Sequence, residues 1–200
     1  MQHKRTRDRS AKQQALLKAA LRLFANKGFE ATTTREIAAE AGCAEGLIHR
    51  YFNGKAGLLP ALIESQIAKE VAELGRSLRP ASKLEDEFIQ LVEWEVERMW
   101  ENRDYLGIFI PRAMVDASAR SSLNRAVLSL RVQKVADRLR RYPAGAKLCK
   151  PEIDALAAAV GMLGLVFGFM RPVVLGQERL RAKEMAVGIA RVLIRGTGCV

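Results

Sequence analysis

Apolar residues recur at helical spacing along almost the whole chain. Leu16, Ala19, Ala20, Leu23 and Phe24 fall at i, i+3, i+4, i+7 and i+8, which predicts an amphipathic helix from about Ser10 to Lys27, with Ser10 as N-cap and Gly28 as the C-terminal stop. Thr33-Thr34-Arg35-Glu36 has the form of a capping box, the Thr33 hydroxyl reaching forward to a free backbone N–H and Glu36 reaching back. A short helix should therefore run to about Ala41, where Gly42 ends it. Another follows over Ala44–Tyr51, with Leu47, Ile48 and Tyr51 in phase, and a fourth begins near Asn53 or Lys55.

Helical patterns continue over 55–78, 84–101, 105–117, 120–141, 151–170 and 177–194. They are divided at Arg79-Pro80, Asn102, Ala119, Tyr142-Pro143-Ala144-Gly145 and Arg171-Pro172. Leu106, Phe109, Ile110, Ala113, Met114 and Ala117 form one apolar stripe, and Leu128, Val132, Val135 and Leu139 another. No run alternates as a strand does, so the expected fold class is all-α. Pro60 stands well inside the fourth helix, where it forfeits a hydrogen bond and kinks or delays the helix between the two parts of the chain.

Composition narrows the class. Of 200 residues 49% are hydrophobic and 28% charged, which excludes a disordered or collagen-like chain. The longest stretch without charge, Ala155 to Met170, falls short of the roughly 20 apolar residues that cross a bilayer, so no membrane partner is expected. The basic N-terminus leads into no apolar segment or cleavage site, and a cytoplasmic location is expected. Cys43, Cys149 and Cys199 are isolated, and with His3 and His49 the only histidines they complete no metal site. No metal or cofactor is expected, and the cysteines read as reduced thiols, with redox sensing the minority reading.

The net charge of +11 favours a polyanionic partner. Residues 1–56 hold eleven basic side chains against five acidic. A second basic block, Arg120 to Arg141, has seven against Asp137, and between them Glu85 to Asp104 holds eight carboxylates against Arg98 and Arg103. The later blocks read as neighbouring or solvated helix faces.

Two short helices joined by a tight turn, with a third helix before them, are how a helix-turn-helix sets one helix into the major groove of DNA. Counting from Thr34, the fifth residue is the small Ala38, the ninth is Gly42 at the turn, and the fifteenth is the apolar Ile48. The stretch from Ala20 to Gly42, with Leu47-Ile48-His49-Arg50-Tyr51-Phe52 and Lys55, resembles the N-terminal DNA-binding domain of TetR-type transcriptional regulators over about residues 10 to 60. The resemblance implies a helix-turn-helix domain over 1–55. A larger helical domain over 56–200 would bind an effector and form a homodimer, mainly through the last two helices.

Matching positions imply a set of DNA contacts. Thr33 and Thr34 fall at capping and phosphate-binding positions, and Arg35 at a position that can reach a base edge. Gly46 matches a small residue that lets the recognition helix approach the groove, His49 and Tyr51 match positions that touch phosphate or base, and Lys55 matches a phosphate-binding lysine. Arg50 replaces an aromatic or histidine and suits a phosphate or base. Ala44-Glu45 departs from the usual Ser-Lys type pair: Glu45 would either accept from a cytosine amino group or repel the backbone, and Leu47 could pack on a thymine methyl. Lys4, Arg5, Arg7 and Arg9 resemble a flexible basic arm entering the minor groove, against which stands a simple solvated tail.

In the second half, Leu84, Phe88, Leu91, Val92, Val96 and Met99 make one apolar face, and Glu95 falls within it. Either Glu95 is a pocket acid that selects cationic or hydrogen-bond-donating ligands, or it pairs with an Arg of the 120–141 block. Phe88, Leu91, Trp94, Glu95, Met99, Tyr105, Phe109, Met114 and Phe167 are candidate pocket residues, against which stands plain core packing; Trp100 is a further aromatic of the same region. Ala157, Gly161, Gly164 and Gly168 place small residues one turn apart, which suits a dimer interface formed with Ala186, Ile189, Ala190 and Leu193, or packing within the chain.

The leading function is a homodimeric repressor that binds an inverted-repeat operator in double-stranded DNA and is released by a small-molecule effector. The alternative is a basic DNA-binding protein of low sequence specificity without an effector. With two histidines, no paired carboxylates at catalytic spacing and no nucleophile motif, an enzyme is not expected.

Overall fold

The computed structural model describes residues 2–125 and 131–197, and side chains from Asp8 onward within them. The described residues are helical and contain no strand, as the sequence pattern requires. The helices are α1 (Gln2–Lys27), α2 (Thr34–Glu40), α3 (Gly46–Phe52), α4 (Lys55–Ser77), α5 (Leu84–Glu101), α6 (Arg103–Val115), α7 (Ala117–Arg125), α8 (Gln133–Leu139), α9 (Pro143–Lys147), α10 (Lys150–Gly164) and α11 (Arg179–Gly196). Between the last two, Leu165–Val174 continues α10 as a π-helix. Cys43 and Cys149 are free thiols, and Cys199 lies outside the described residues.

Several elements differ from the sequence expectation. α1 begins at Gln2 rather than Ser10, and five of its eight added residues are Lys, Arg or Gln, which lose little rotamer freedom in a helix. The helix expected over 120–141 falls on α7 and α8, and Leu128 lies with 126–130 outside the described residues. Tyr142-Pro143-Ala144-Gly145, read as a break, opens the short α9 with Pro143 in its first turn. Pro172 does not stop the chain's winding. Proline has no N–H for the carbonyl four residues back, and here the backbone is wound wider, Leu175 N–H reaching the Met170 carbonyl at 3.1 Å.

The chain forms two compact units. One comprises residues 1–66 and 107–123, the other 67–106 and 124–200. In the first, the α1 stripe of Leu16, Ala20 and Phe24 is buried, as are Ile37 and Ala38 of α2, Ile48 of α3, Leu58, Leu59 and Ile63 of α4, and Phe109 of α6. In the second, α5 packs against α10, its π continuation and α11. The core there joins Phe88, Leu91, Val92 and Val96 of α5 to Val135 and Leu139 of α8, Ile153, Val160 and Leu163 of α10, and Ala186, Ala190 and Ile194 of α11.

The stripe of small residues on α10 serves this internal packing. A Cβ at Gly164 would lie 2.2 Å from Glu95 Cγ, and one at Gly168 would lie 2.3 Å from the Val96 carbonyl. Ala157, Ala186 and Ala190 are likewise buried within the chain. Ala157, Gly164, Gly168, Ala186 and Ala190 are therefore not on a surface that a second copy can meet. Small residues one turn apart permit close approach of another backbone, and here that backbone is α5. Gly161 has open space beyond it, and Ile189 and Leu193 are exposed.

By length and composition, Lys150–Val174 is long and apolar enough to cross a membrane, where the shorter reading to Met170 expected no such segment. Half of its most apolar window is buried in the fold.

Candidate nucleic-acid interface

The entry to α2 is fixed by its own side chains. Thr33 is extended, its hydroxyl accepts from the Glu36 N–H at 3.2 Å, and Glu36 Oε2 accepts from the Thr33 N–H at 2.9 Å. Lys27 lies 2.5 Å from the other Glu36 oxygen. The Lys27 ammonium, then the Thr33 N–H and hydroxyl, pull the Glu36 carboxyl down to a pKa of about 2. Gly42 adopts φ +61°, a conformation costly for side chains with a Cβ, and the turn closes with the Cys43 N–H on the Ala38 carbonyl at 2.9 Å.

From that turn α3 leaves with Ile48 fully buried, which directs His49 and Arg50 outward. Arg35, His49 and Arg50 are exposed, and none makes a side-chain hydrogen bond or ion pair among the described residues. Gly46 is exposed, with nothing within 4 Å of where a Cβ would stand. Leu47 and Tyr51 are half-buried, Tyr51 meeting Phe52 edge-on at 6.3 Å, with the Arg9 guanidinium 5.3 Å from its ring centre. Thr33 is exposed, while the Thr34 hydroxyl donates to Glu45 Oε1 at 2.6 Å and so ties the starts of α2 and α3 together. The carboxylate thus has a partner inside the protein, a role outside the two the sequence suggested. Lys4, Arg5 and Arg7 fall in the first turns of α1, and their side chains lie outside the described residues.

Lys55 departs from its expected role. Its ammonium donates to the carbonyls of Phe29, Thr32 and Glu30 at 2.9, 3.0 and 3.2 Å. An ammonium has three N–H donors, and all three are occupied, so Lys55 organises the α1–α2 connection instead of reaching phosphate. Arg112 of α6 has a related place that sequence reasoning missed, its guanidinium 4.5 Å from the Phe29 ring centre and 2.6 Å from Glu30 Oε1. Nothing local at position 112 signals a partner more than 80 residues earlier.

In the second unit a small cavity is lined by Leu74 and Glu70 of α4, Leu91, Trp94 and Glu95 of α5, Arg131 and Val135 before and within α8, and Val160 of α10. It has room for about one water molecule. Of the expected pocket residues only Leu91, Trp94 and Glu95 line it. Phe88 and Phe167 belong to the packed core, Met99 is buried under Gly168, Phe109 is buried in the first unit, and Met114 is 76% exposed. Tyr105 is half-buried and is not among the lining residues. Aromatic and Met side chains at helical spacing fill cores as readily as they line pockets, and the packing of α5 on α10 decides between the two.

The helix-turn-helix geometry agrees with comparison to known proteins. The signature of the tetR family of bacterial regulatory proteins matches residues 16–62, from α1 into α4. HTH-type transcriptional regulator BetI 2 of Chromohalobacter salexigens is 31% identical over 191 residues, covering 86% of this chain and 82% of that protein. The chain belongs to the TetR family. Its α2–α3 pair is the helix-turn-helix of a DNA-binding transcriptional regulator. The regulator also matches HTH-type transcriptional regulator YerO of Bacillus subtilis, 38% identical over 63 residues, or 32% of this chain and 22% of YerO. That match spans less than a quarter of the relative's length. A TetR-family regulator from Mesorhizobium loti has the same fold, with TM-score 0.75 and 17% identity over 94% of this chain and 96% of that one.

Proposed function

We propose that the protein is a ligand-responsive repressor that binds an inverted-repeat operator as a homodimer and leaves it when a small molecule binds the second unit. The observation that supports this most is the outward face of α3. His49 and Arg50 stand exposed, as do Gly46 and, on α2, Arg35, and no side-chain hydrogen bond or ion pair engages them among the described residues, while the opposite side of α3 is locked by Ile48. Arg35 and Arg50 are suited to guanine edges or phosphates, Gly46 to close approach, and Leu47 and Tyr51 to the rim of the contact. The basic residues at the start of α1 add phosphate attraction.

A homodimer is supported by apolar side chains left uncovered on the last helices. Met162 and Val166 on α10 and its continuation, and Ile189, Val192 and Leu193 on α11, are exposed to between 38% and 72%. Surfaces of this kind on one pair of helices suit a four-helix contact between two copies.

Selection of random duplex DNA by the purified protein, with sequencing of the bound pool, tests the reading. An inverted repeat of fixed half-site spacing supports the dimeric regulator. A bound pool with no shared motif moves the assignment to the alternative, a basic DNA-binding protein of low specificity.

A further inference from the structure

Glu45 brings a negative charge to the outward face of α3. Its backbone is already helical, at φ −56° and ψ −38°, and its carbonyl accepts from the Ile48 N–H at 2.9 Å. Helical phase therefore sets Glu45 on the side of His49, four residues on. The residue is exposed, and among the described residues no cation pairs with it, although Arg35 and Arg50 of the same unit make no ion pair either. What holds the carboxylate is the Thr34 hydroxyl of α2, which donates to Oε1 at 2.6 Å, while Oε2 has no partner among the described residues.

That bond has two consequences. A hydroxyl has one O–H, and with it given to Glu45 Thr34 has none for a phosphate, which only accepts. The phosphate contact that the sequence suggests for Thr34 therefore requires the bond to break. The second consequence concerns freedom. An untethered glutamate turns into water when an unfavourable group approaches, whereas one held by a short hydrogen bond stays in place and penalises the approach.

We infer that Glu45 is a specificity-determining residue that demands a cytosine at one position of each operator half-site. An ionised carboxylate only accepts hydrogen bonds. In the major groove guanine shows N7 and O6 and thymine shows O4, all acceptors that repel it. Adenine sets its N6 amino donor beside the N7 acceptor, whereas the cytosine edge offers the N4 amino donor with no acceptor next to it on that base. Phosphates repel the carboxylate too. Glu45 thus selects by making the other contacts worse, while general attraction to DNA comes from the eleven basic residues of 1–56. The inference rests on the operator-binding reading and narrows it to one base of the half-site.

Selection from random duplex DNA, run in parallel on the full chain and on its Glu45→Gln and Thr34→Val variants, tests it. Gln keeps the side-chain length and can still accept from Thr34, but it also donates and carries no charge. Val keeps the branched shape at position 34 and removes the hydroxyl. The unaltered chain should select a cytosine at one position of each half-site, and replacing it in the selected operator should weaken binding about tenfold in competition titrations. Glu45→Gln should remove most of that penalty. Thr34→Val should lower it with the charge still present. Melting temperatures check that both variants fold, and a loss of stability does not alter preference at one base position alone. A half-site in which no position requires cytosine overturns the inference, as does an unchanged base profile in Glu45→Gln; an inverted repeat in the same pools leaves the repressor reading intact. Retention of the full penalty in Thr34→Val overturns it as well, because the hydroxyl then does not hold the carboxylate. A pool without any shared motif from the unaltered chain ends both.

Discussion

The Lys55 ammonium stands 2.9 Å from the carbonyl oxygen of Phe29 and 4.6 Å from the centre of the same residue's ring. With the Glu30 and Thr32 carbonyls also bound, the first residue of α4 holds together the backbone that leads into α2. The orientation of the helix-turn-helix thus depends on a lysine outside it.

Lys55→Met should cost about 2 kcal/mol of stability, the net worth of a few hydrogen bonds to a charged donor, read by denaturant unfolding. DNA binding should weaken while the slope of log affinity against log salt stays unchanged. A lost phosphate contact would instead reduce that slope by about 0.9.

Arg50→Ala and Arg35→Ala should leave the melting temperature unchanged, because neither side chain has a partner among the described residues. Each should weaken operator binding by about 1–3 kcal/mol if it reads a base, and relax selectivity at one position of the half-site. Competition binding against single-base operator variants measures both.

The Glu36 box makes stability fall in acid. Its folded pKa of about 2 lies below the ordinary value of 4.5, so its contribution is complete above 4.5 and is lost as pH falls toward 2. Glu36→Gln should flatten the pH dependence of the melting temperature in that window and leave the dependence above it unaltered.

Arg138→Met should destabilise the protein by about 3–5 kcal/mol, since it strands the Glu87 carboxylate at 0% exposure. Burial alone would raise the Glu87 pKa, and Arg138, the Ala81 N–H and Tyr142 together hold it below the usual carboxylate range. Adding Glu87→Gln to Arg138→Met should recover much of the loss, as chemical denaturation of the single and double variants will show.

Gly164→Ala and Gly161→Ala make a matched pair one turn or less apart. The first would press a methyl against Glu95 Cγ and should cost about 1–3 kcal/mol. The second meets open space and should stabilise by about 0.5–1 kcal/mol through helix propensity. Equal effects in thermal unfolding would mean that α10 does not approach α5 as described.

Local signals made the helix-turn-helix legible in the order of residues alone. Thr33 and Glu36 bond to each other's backbone three residues apart, Gly42 supplies a left-handed turn, and Ile48 faces inward because helical phase from Leu47 to Tyr51 leaves it no other direction. The α5 boundaries, Leu84 and Glu101, were equally readable from the apolar face they enclose. Such features involve residues within one or two turns, where backbone geometry alone decides which atoms meet.

Partner choice over long separations lay beyond that reach. The sequence placed a carboxylate at position 95 on an apolar face and left open whether it met a ligand or an Arg; tertiary packing brought Arg131 to it and had Glu70 share the same guanidinium. The sequence marked Gly164 and Gly168 as points of close approach without naming what approaches, and the fold chose α5. Lys55 had the charge for a phosphate, yet three carbonyls some 25 residues earlier in the chain took its donors. Residue type and helical phase determine what a side chain can do and which way it points from its own helix. Which of several chemically suitable partners it meets depends on how the helices pack, and that information is spread over the whole core.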